Sequence, residues 1–175
     1  MYNKANLTLS KINFFSESHK LLDNSVIILD EIIKDNIFDL NNFTHTSYLI
    51  RQTQSPIKKV SDYLKDIRLS SNVENLHIIA HGSEKGIFLS GEFIDEQILT
   101  ANAELLKSWE IKNLYLWSCE VGKNKNLISL FSELTGAKVF CSALEISREN
   151  PFVYDFEGNK TNLNNLIDQQ FLNKW

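Results

Sequence analysis

Two short apolar runs decide the fold of this chain. The stretch Leu76-His77-Ile78-Ile79-Ala80-His81-Gly82 ends in a His-Gly pair, and Leu114-Tyr115-Leu116-Trp117-Ser118-Cys119 ends in a cysteine. Runs of this length and composition are typical of strands buried on both faces of a parallel sheet. Because ligands bind beyond the carboxyl ends of neighbouring strands in open α/β sheets, the two runs predict His81 and Cys119 on either side of one cleft.

The residue types at these two strand ends fit a catalytic pair. A histidine beside a cysteine can act as the general base for a thiol nucleophile. Either residue alone would be ordinary, because most such histidines are surface or structural residues and most such cysteines are core thiols. Gly82 lacks a side chain, so its backbone N–H could form an oxyanion hole with the N–H of Cys119. The alternative for Gly82 is a plain turn glycine.

The order of strand, His-Gly, strand and Cys resembles the caspase-like (clan CD) cysteine peptidases, which include the self-cleaving domains of bacterial toxins. The chain is more closely similar to the bacterial DUF4347 domain, through residues 76–82, 114–121 and 134–139. This resemblance covers roughly Val26 to Phe156. It implies a caspase-like three-layer α/β sandwich and a Cys-His dyad in which a third catalytic residue is optional. Trp117-Ser118 replaces the small residue and glycine that the family usually carries before the cysteine, which alters the packing behind the nucleophile.

Strands and helices alternate along the chain, which predicts a right-handed, mostly parallel α/β sheet with helices on both faces. About six strands are expected, at residues 26–29, 47–50, 76–80, 114–118, 138–141 and 152–156. A helix is expected to begin at Ser55-Pro56, with Ser55 as its N-cap, and others after Asp95 and before Gly136. A small hairpin with the two-residue turn Ser90-Gly91 should follow the His-Gly loop.

Composition indicates one globular domain with flanking segments. The chain has 175 residues, of which 43% are hydrophobic and 23% charged, enough to bury a sizeable core. We expect an N-terminal extension over 1–25, the caspase-like domain over 26–158, and a C-terminal amphipathic helix over 159–175. Apolar residues recur at helical spacing in that last segment, so it should dock on the domain; the alternative is a partner-binding or inhibitory tail.

Charge and motif content exclude several classes of function. A net charge of −4 gives no footprint for nucleic acid, and no apolar stretch approaches the length of a membrane span. The N-terminus lacks the apolar region of a signal peptide, so a cytoplasmic location is the default and secretion by another route stays open. Two cysteines, scattered histidines and dispersed glycines predict no disulfide framework, no metal site and no cofactor. The oligomeric state stays open.

Asp30 is the candidate acid that would orient His81. It ends the first predicted strand, and if that strand neighbours the third, its carboxylate lies at the same sheet edge and could fix the imidazole tautomer. The alternative is that Asp30 caps the segment 31–36. His77, inside the third strand, is expected to point away from the side of His81 and to be a packing or surface residue.

The resemblance also implies a substrate pocket. In caspase-like enzymes the residue before the cut sits beside the cysteine strand, against whatever follows the next strand, here residues 142–148. Leu144 and Ile146 would suit an apolar residue, whereas Glu145 would receive a basic one. Alternation along an extended segment puts Leu144 and Ile146 on one face and Glu145 on the other. The expected order of preference is therefore apolar, then basic, then acidic.

Two functions follow from these observations. The first is a caspase-like cysteine endopeptidase that cuts a polypeptide through a thioester intermediate and processes itself or a partner protein. The alternative is a non-catalytic module of the same fold that binds a peptide or docks to a partner, because sites rather than folds carry function. The reactivity of Cys119 toward a peptide-like electrophile separates the two.

Overall fold

The computed structural model describes residues 24–33, 43–52 and 55–168. In chain order the strands are β1 (Ser25–Asp30), β2 (Thr46–Ile50), β3 (Asn75–Ile79), β4 (His81–Ser83), β5 (Gly86–Leu89), β6 (Glu92–Ile94), β7 (Asn113–Trp117), β8 (Lys138–Phe140), β9 (Phe152–Tyr154) and β10 (Lys160–Asn162). The α-helices are α1 (Pro56–Arg68), α2 (Glu96–Ala101), α3 (Ala103–Lys107) and α4 (Lys125–Thr135).

A five-stranded sheet forms the centre of the described chain. Its order is β2-β1-β3-β7-β8 and every neighbouring pair is parallel, as the alternating pattern predicts. From β1 the chain continues to β2 at one edge of the sheet, and from β3 it continues to β7, toward the other edge. The adjacent strands β1 and β3 therefore form a topological switch point. Open α/β sheets bind their ligands at the carboxyl ends of the strands beside such a point.

The predicted sixth strand does not extend this sheet. β9 pairs with β10 in a separate antiparallel sheet, and Tyr154 bridges Cys141 just beyond β8 in the antiparallel sense. A parallel return needs a crossover of a dozen or more residues, usually a helix, and residues 142–151 contain neither a helix nor enough chain. The central sheet therefore has five strands among the described residues, where about six are predicted.

The four α-helices all pack on one face of the sheet. They share one core with β5, β6 and the even-numbered residues of β1, β3 and β7, which we call the helix-side core. The other face carries the second core, covered by β9 and by a 3-10 turn at Leu163–Leu166. The connections from β2 to β3, from β3 to β7 and from β7 to β8 all run in the same direction across the sheet. Right-handed connections in one direction place their helices on the same face of the sheet. The prediction of helices on both faces is therefore not met in the described ranges.

Local signals explain where the helices begin and end. Pro56 opens α1 as predicted, although the Ser55 side chain makes no cap hydrogen bond. The Asp95 carboxylate accepts the Ile98 N–H at 2.9 Å and starts α2. The single helix predicted after Asp95 is divided into α2 and α3 at Asn102, whose side-chain amide donates to the Ile98 carbonyl. Asparagine competes with the helix for backbone hydrogen bonds in this way.

The predicted hairpin is present, and it belongs to a larger unit. Ser90 and Gly91 have φ values of 55° and 88°, which two-residue hairpin turns of the primed type require. β4 adds a third antiparallel strand to β5 and β6, so His81 begins a strand instead of a loop. This strand escapes a search for apolar periodicity because His81-Gly82-Ser83 contains no apolar residue.

The C-terminal range differs from the amphipathic helix expected over 159–175. Its described part forms β10 and the 3-10 turn, and Leu163, Leu166 and Ile167 are buried in the second core. The Asn162 side chain accepts the Asn164 N–H and starts that turn. Residues 169–175 of the expected helix, and most of the expected extension over 1–25, lie outside the described residues. None of the described helices is long and apolar enough to cross a membrane.

Candidate functional site

The segments that carry His81 and Cys119 meet at the carboxyl edge of the sheet. β3 and β7 are adjacent and parallel, with Ile79 paired to Trp117, so the residues that follow them emerge side by side. A Cβ added to Gly82 would lie 2.7 Å from the Ser118 Cβ and 2.8 Å from the Cys119 carbonyl oxygen. The backbone of Gly82 therefore packs directly on the cysteine segment, which gives this glycine a packing reason beside its predicted place in an oxyanion hole.

The Cys119 thiol is half-buried and has a backbone donor. Its Sγ accepts a hydrogen bond from the Ile146 N–H at 3.4 Å. A negatively charged sulfur accepts such a bond more strongly than a neutral thiol does, because the donor dipole then faces a full charge. The Ile146 N–H is thus the backbone donor that the structure places on the Cys119 sulfur.

The loop after Cys119 is held against the segment that follows β8. Glu120 adopts φ 58°, an uncommon conformation for a residue with a side chain, and pairs with Lys123. The Glu120 N–H donates to the Leu144 carbonyl at 3.1 Å, and the Gly122 N–H donates to the Ser142 carbonyl at 2.8 Å. These bonds place the segment 142–146 beside the cysteine, where the resemblance implies a substrate pocket.

The side chains of this segment do not alternate as expected. Leu144 is 62% exposed, Glu145 is exposed, and Ile146 is half-buried against the second core. The chain bends at Ala143 and Leu144 instead of running as an extended strand, so period-two alternation does not apply. Of the three residues expected to form the pocket, Leu144 and Glu145 are therefore the two with exposed side chains.

Asp30 is completely buried, and its described contacts are with backbone groups. One carboxylate oxygen accepts the Ile32 N–H at 3.0 Å and the other accepts the Ser90 N–H at 2.9 Å. Alternation along β1 puts Asp30 on the helix-side core with Ile28. Its role as the acid that orients His81 stays a prediction, and the bond to Ile32 agrees with the alternative that Asp30 caps the turn after β1.

The His81 side chain is exposed, and none of the described groups hydrogen-bonds to its ring. His77, in contrast, is buried, stacks on Tyr115 at 4.3 Å and lies 3.2 Å from the indole nitrogen of Trp117. His77 is thus a packing residue. The expectation that pleating turns it away from the side of His81 stays a prediction, because β3 ends at Ile79 and His81 begins β4 of another sheet.

An open cleft of about 580 Å³ lies beside these segments, and sequence reasoning missed it. It is lined by Glu84, Lys85, Phe93, Asp95, Glu96, Lys123 and Asn124. Those residues come from the turn after β4, from β6, from the start of α2 and from the loop after Cys119, so only the folded topology brings them together. Among the described residues no group of three or more His, Cys, Asp or Glu side chains is arranged to hold a metal ion.

The fold and this edge define a parallel α/β domain with a histidine and a cysteine at adjacent strand ends. Residues 26–150 match the family model described as Domain of unknown function (DUF4347), and the chain belongs to that family. No curated protein and no solved structure is significantly similar to the chain.

Proposed function

We propose that this protein is a caspase-like cysteine endopeptidase in which Cys119 is the nucleophile and His81 the general base. The observation that carries the proposal is the close approach of Gly82 to the Ser118 Cβ and the Cys119 backbone, because it brings the residue next to His81 onto the cysteine segment. A base and a nucleophile need such proximity, although apo geometries are often looser than hydrogen-bond distance.

The chemistry proceeds in two steps. The Cys119 thiol transfers its proton to His81, and the sulfur attacks the scissile carbonyl carbon to form a tetrahedral intermediate. His81 returns that proton to the leaving amine as the C–N bond breaks, which leaves a thioester. His81 then removes a proton from water, the hydroxide attacks the thioester carbon, and the C–S bond breaks as His81 returns the proton to the sulfur, which releases the acid product and restores the thiol.

Backbone donors would stabilise the charges that develop in these steps. The N–H groups of Gly82 and Cys119 are the proposed oxyanion donors, and removal of one such donor typically lowers the rate about 100- to 1000-fold. The Ile146 N–H acts earlier, on the attacking sulfur. The proposed substrate is a polypeptide, either a partner protein or a longer form of the same chain, with exposed Leu144 and Glu145 facing the residue before the cut.

Cleavage of a peptide library, read by mass spectrometry, tests the proposal. Cys119→Ala and His81→Ala should each lower cleavage by at least about a thousandfold, since both steps need both residues. Cys141→Ala is the matched control, because it removes the other cysteine, which is buried beyond β8. Cleavage that survives Cys119→Ala would refute the peptidase. If the wild type cleaves no peptide, the non-catalytic peptide-binding module replaces it.

A further inference from the structure

Asp30 makes a long-range contact that does not involve the His81 ring. Its fully buried carboxylate joins Ile32, in the 3-10 turn after β1, to Ser90, which lies 60 residues after Asp30 in the sequence. Burying a carboxylate is costly unless its oxygens accept hydrogen bonds, and here each oxygen accepts a backbone N–H. The fold therefore buries a carboxyl group, with both oxygens hydrogen-bonded, at the point where the Ser90-Gly91 turn meets the main sheet.

The turn is fixed on a second side by β2. The Ser90 hydroxyl donates to the carbonyl of Arg51, the residue after β2, and Ser90 is 1% exposed. A Cβ on Gly91 would lie 3.2 Å from the Gln52 side chain, so the turn sits closely on the end of that strand. Ser90 holds φ 55° in this position, which a serine adopts only when its surroundings compensate.

A short path connects this anchor to the candidate site. Ser90 follows Leu89 at the end of β5, and Phe88 of β5 pairs with His81 of β4. Ile87 and Leu89 of β5 are buried in the helix-side core. Because β4, β5 and β6 form one hydrogen-bonded sheet, a displacement of the Ser90-Gly91 turn would be passed along β5 to the strand that carries His81 and Gly82.

We propose that Asp30 and Ser90 form a latch that fixes the β4–β6 sheet and thereby holds His81 and Gly82 against Cys119. Asp30 is then a positioning residue that acts through the hairpin. The predicted effect of the latch on turnover rests on the proposed peptidase function. The latch itself is a property of the fold and does not depend on that function. Asparagine at position 30 would present an NH₂ group to one of the two backbone N–H donors and open the latch.

Asp155 provides a matched control. Its side chain is also almost completely buried and accepts the backbone N–H groups of Glu157 and Asn159 at 2.9 and 2.8 Å. It also pairs with Lys138, which begins β8, so it lies at the opposite edge of the sheet from Cys119. Burial opposes its ionisation, but hydrogen bonds from Lys138 and Asn159 outweigh that effect and hold its pKa well below the ordinary value.

The experiment compares Asp30→Asn with Asp155→Asn by hydrogen exchange and by peptide cleavage. Asp30→Asn should raise amide exchange in residues 81–94 by at least about tenfold over Asp155→Asn, while the amides of β3 and β7 change little. It should also lower kcat about 10- to 100-fold with little change in KM, because a shift of about 1 Å in a catalytic group costs that much. The exchange measurement needs no activity, so it decides the latch even if the chain cleaves nothing.

Two results would overturn the latch. The first is unchanged exchange in 81–94 in Asp30→Asn; if the pH profile of cleavage shifts as well, Asp30 is an orienting acid instead. The second is a uniform rise in exchange throughout the molecule. If Asp30→Asn does not fold, the test is the hydrogen-exchange rate of the Ser90 amide in the wild type. Exchange as slow as that of the β3 amides supports the latch, and fast exchange refutes it.

Discussion

The backbone of Gly82 lies against Cys119 so closely that a Cβ at position 82 would come within 2.8 Å of the Cys119 carbonyl oxygen. The contact joins the segments after β3 and β7 at the carboxyl edge of the parallel sheet, where open α/β folds bind ligands. It connects the fold to the proposed chemistry, because the residue preceding Gly82 is the proposed base and the contacted residue is the proposed nucleophile.

Gly82→Ala is the most direct test of this contact. The added methyl group would meet the Ser118 Cβ and the Cys119 backbone, which cannot swing aside as the end of a flexible side chain can, so we expect a loss of stability of about 1–3 kcal/mol from overpacking. Peptide cleavage should fall at least about tenfold, because the strand carrying His81 must move away from Cys119. Thermal unfolding and kcat/KM measure the two effects.

Gly136→Ala is the control for that variant. Gly136 ends α4 with φ 69° and has open space where a Cβ would be, so alanine there costs about 1 kcal/mol of backbone strain without a clash. It should lower the melting temperature and leave kcat/KM unchanged once folding is allowed for. Equal loss of cleavage in both variants would show that Gly82 acts only through global stability.

The two cysteines should differ in reactivity. Cys119 is half-buried with a backbone N–H on its sulfur, whereas burial raises the pKa of Cys141 to about 11, with a small opposing effect from Lys125. Only about one Cys141 in ten thousand is a thiolate at pH 7. Iodoacetamide should therefore modify Cys119 first, as peptide mass mapping can measure. Preferential modification of Cys141 would contradict the placement of both thiols.

Stability at alkaline pH follows from the same buried thiol. The pKa of Cys141 is raised to about 11 from 9.0 by burial, so the neutral form is favoured in the folded chain. The contribution of the neutral thiol to the free energy of unfolding is complete below pH 9 and is lost as the pH rises through 11. The loss amounts to about 2–3 kcal/mol at most. Urea unfolding from pH 8 to 11 should show this loss in the wild type.

Cys141→Ala separates this effect from other alkaline titrations. Burial also raises the pKa values of Tyr48 and Tyr63, and both act in the same direction as Cys141. The alanine variant should therefore still lose stability above pH 9, but by less than the wild type. Parallel stability curves for the two proteins would mean that Cys141 is not the titrating group.

The parts of this fold that are predictable from sequence are those with local signals. The apolar runs of β1, β3 and β7 are recognisable as buried strands from their composition alone. Gly136 ends α4 in the left-handed conformation expected of a C′ glycine. The bond from Asp30 to Ser90 spans 60 residues, and that from Ile146 to Cys119 spans 27. Neither hydrogen bond can be inferred from hydrophobic periodicity or from residue spacing. The sequence therefore identifies the Asp30 carboxyl group and the Cys119 thiol, but not their partners.

Substrate preference should depend on Leu144 more than on Ile146. Leu144 is 62% exposed beside the cysteine loop, and its carbonyl accepts the Glu120 N–H, which fixes the backbone there. Ile146 packs on the second core instead. We expect cleavage mainly after apolar residues, with basic residues second and acidic residues last. Leu144→Glu should lower kcat/KM for an apolar peptide about 10- to 100-fold, since it removes apolar contact and adds a charge.

Ile146→Ala is the contrasting variant for that prediction. It removes a half-buried side chain from the second core, so it should destabilise the fold by about 1–2 kcal/mol while the order of preference is retained. Profiling one peptide library with the wild type and both variants distinguishes the two roles. Cleavage mainly after aspartate, or an unchanged profile in Leu144→Glu, would place the specificity pocket away from the segment 142–146 and direct attention to the cleft lined by Phe93.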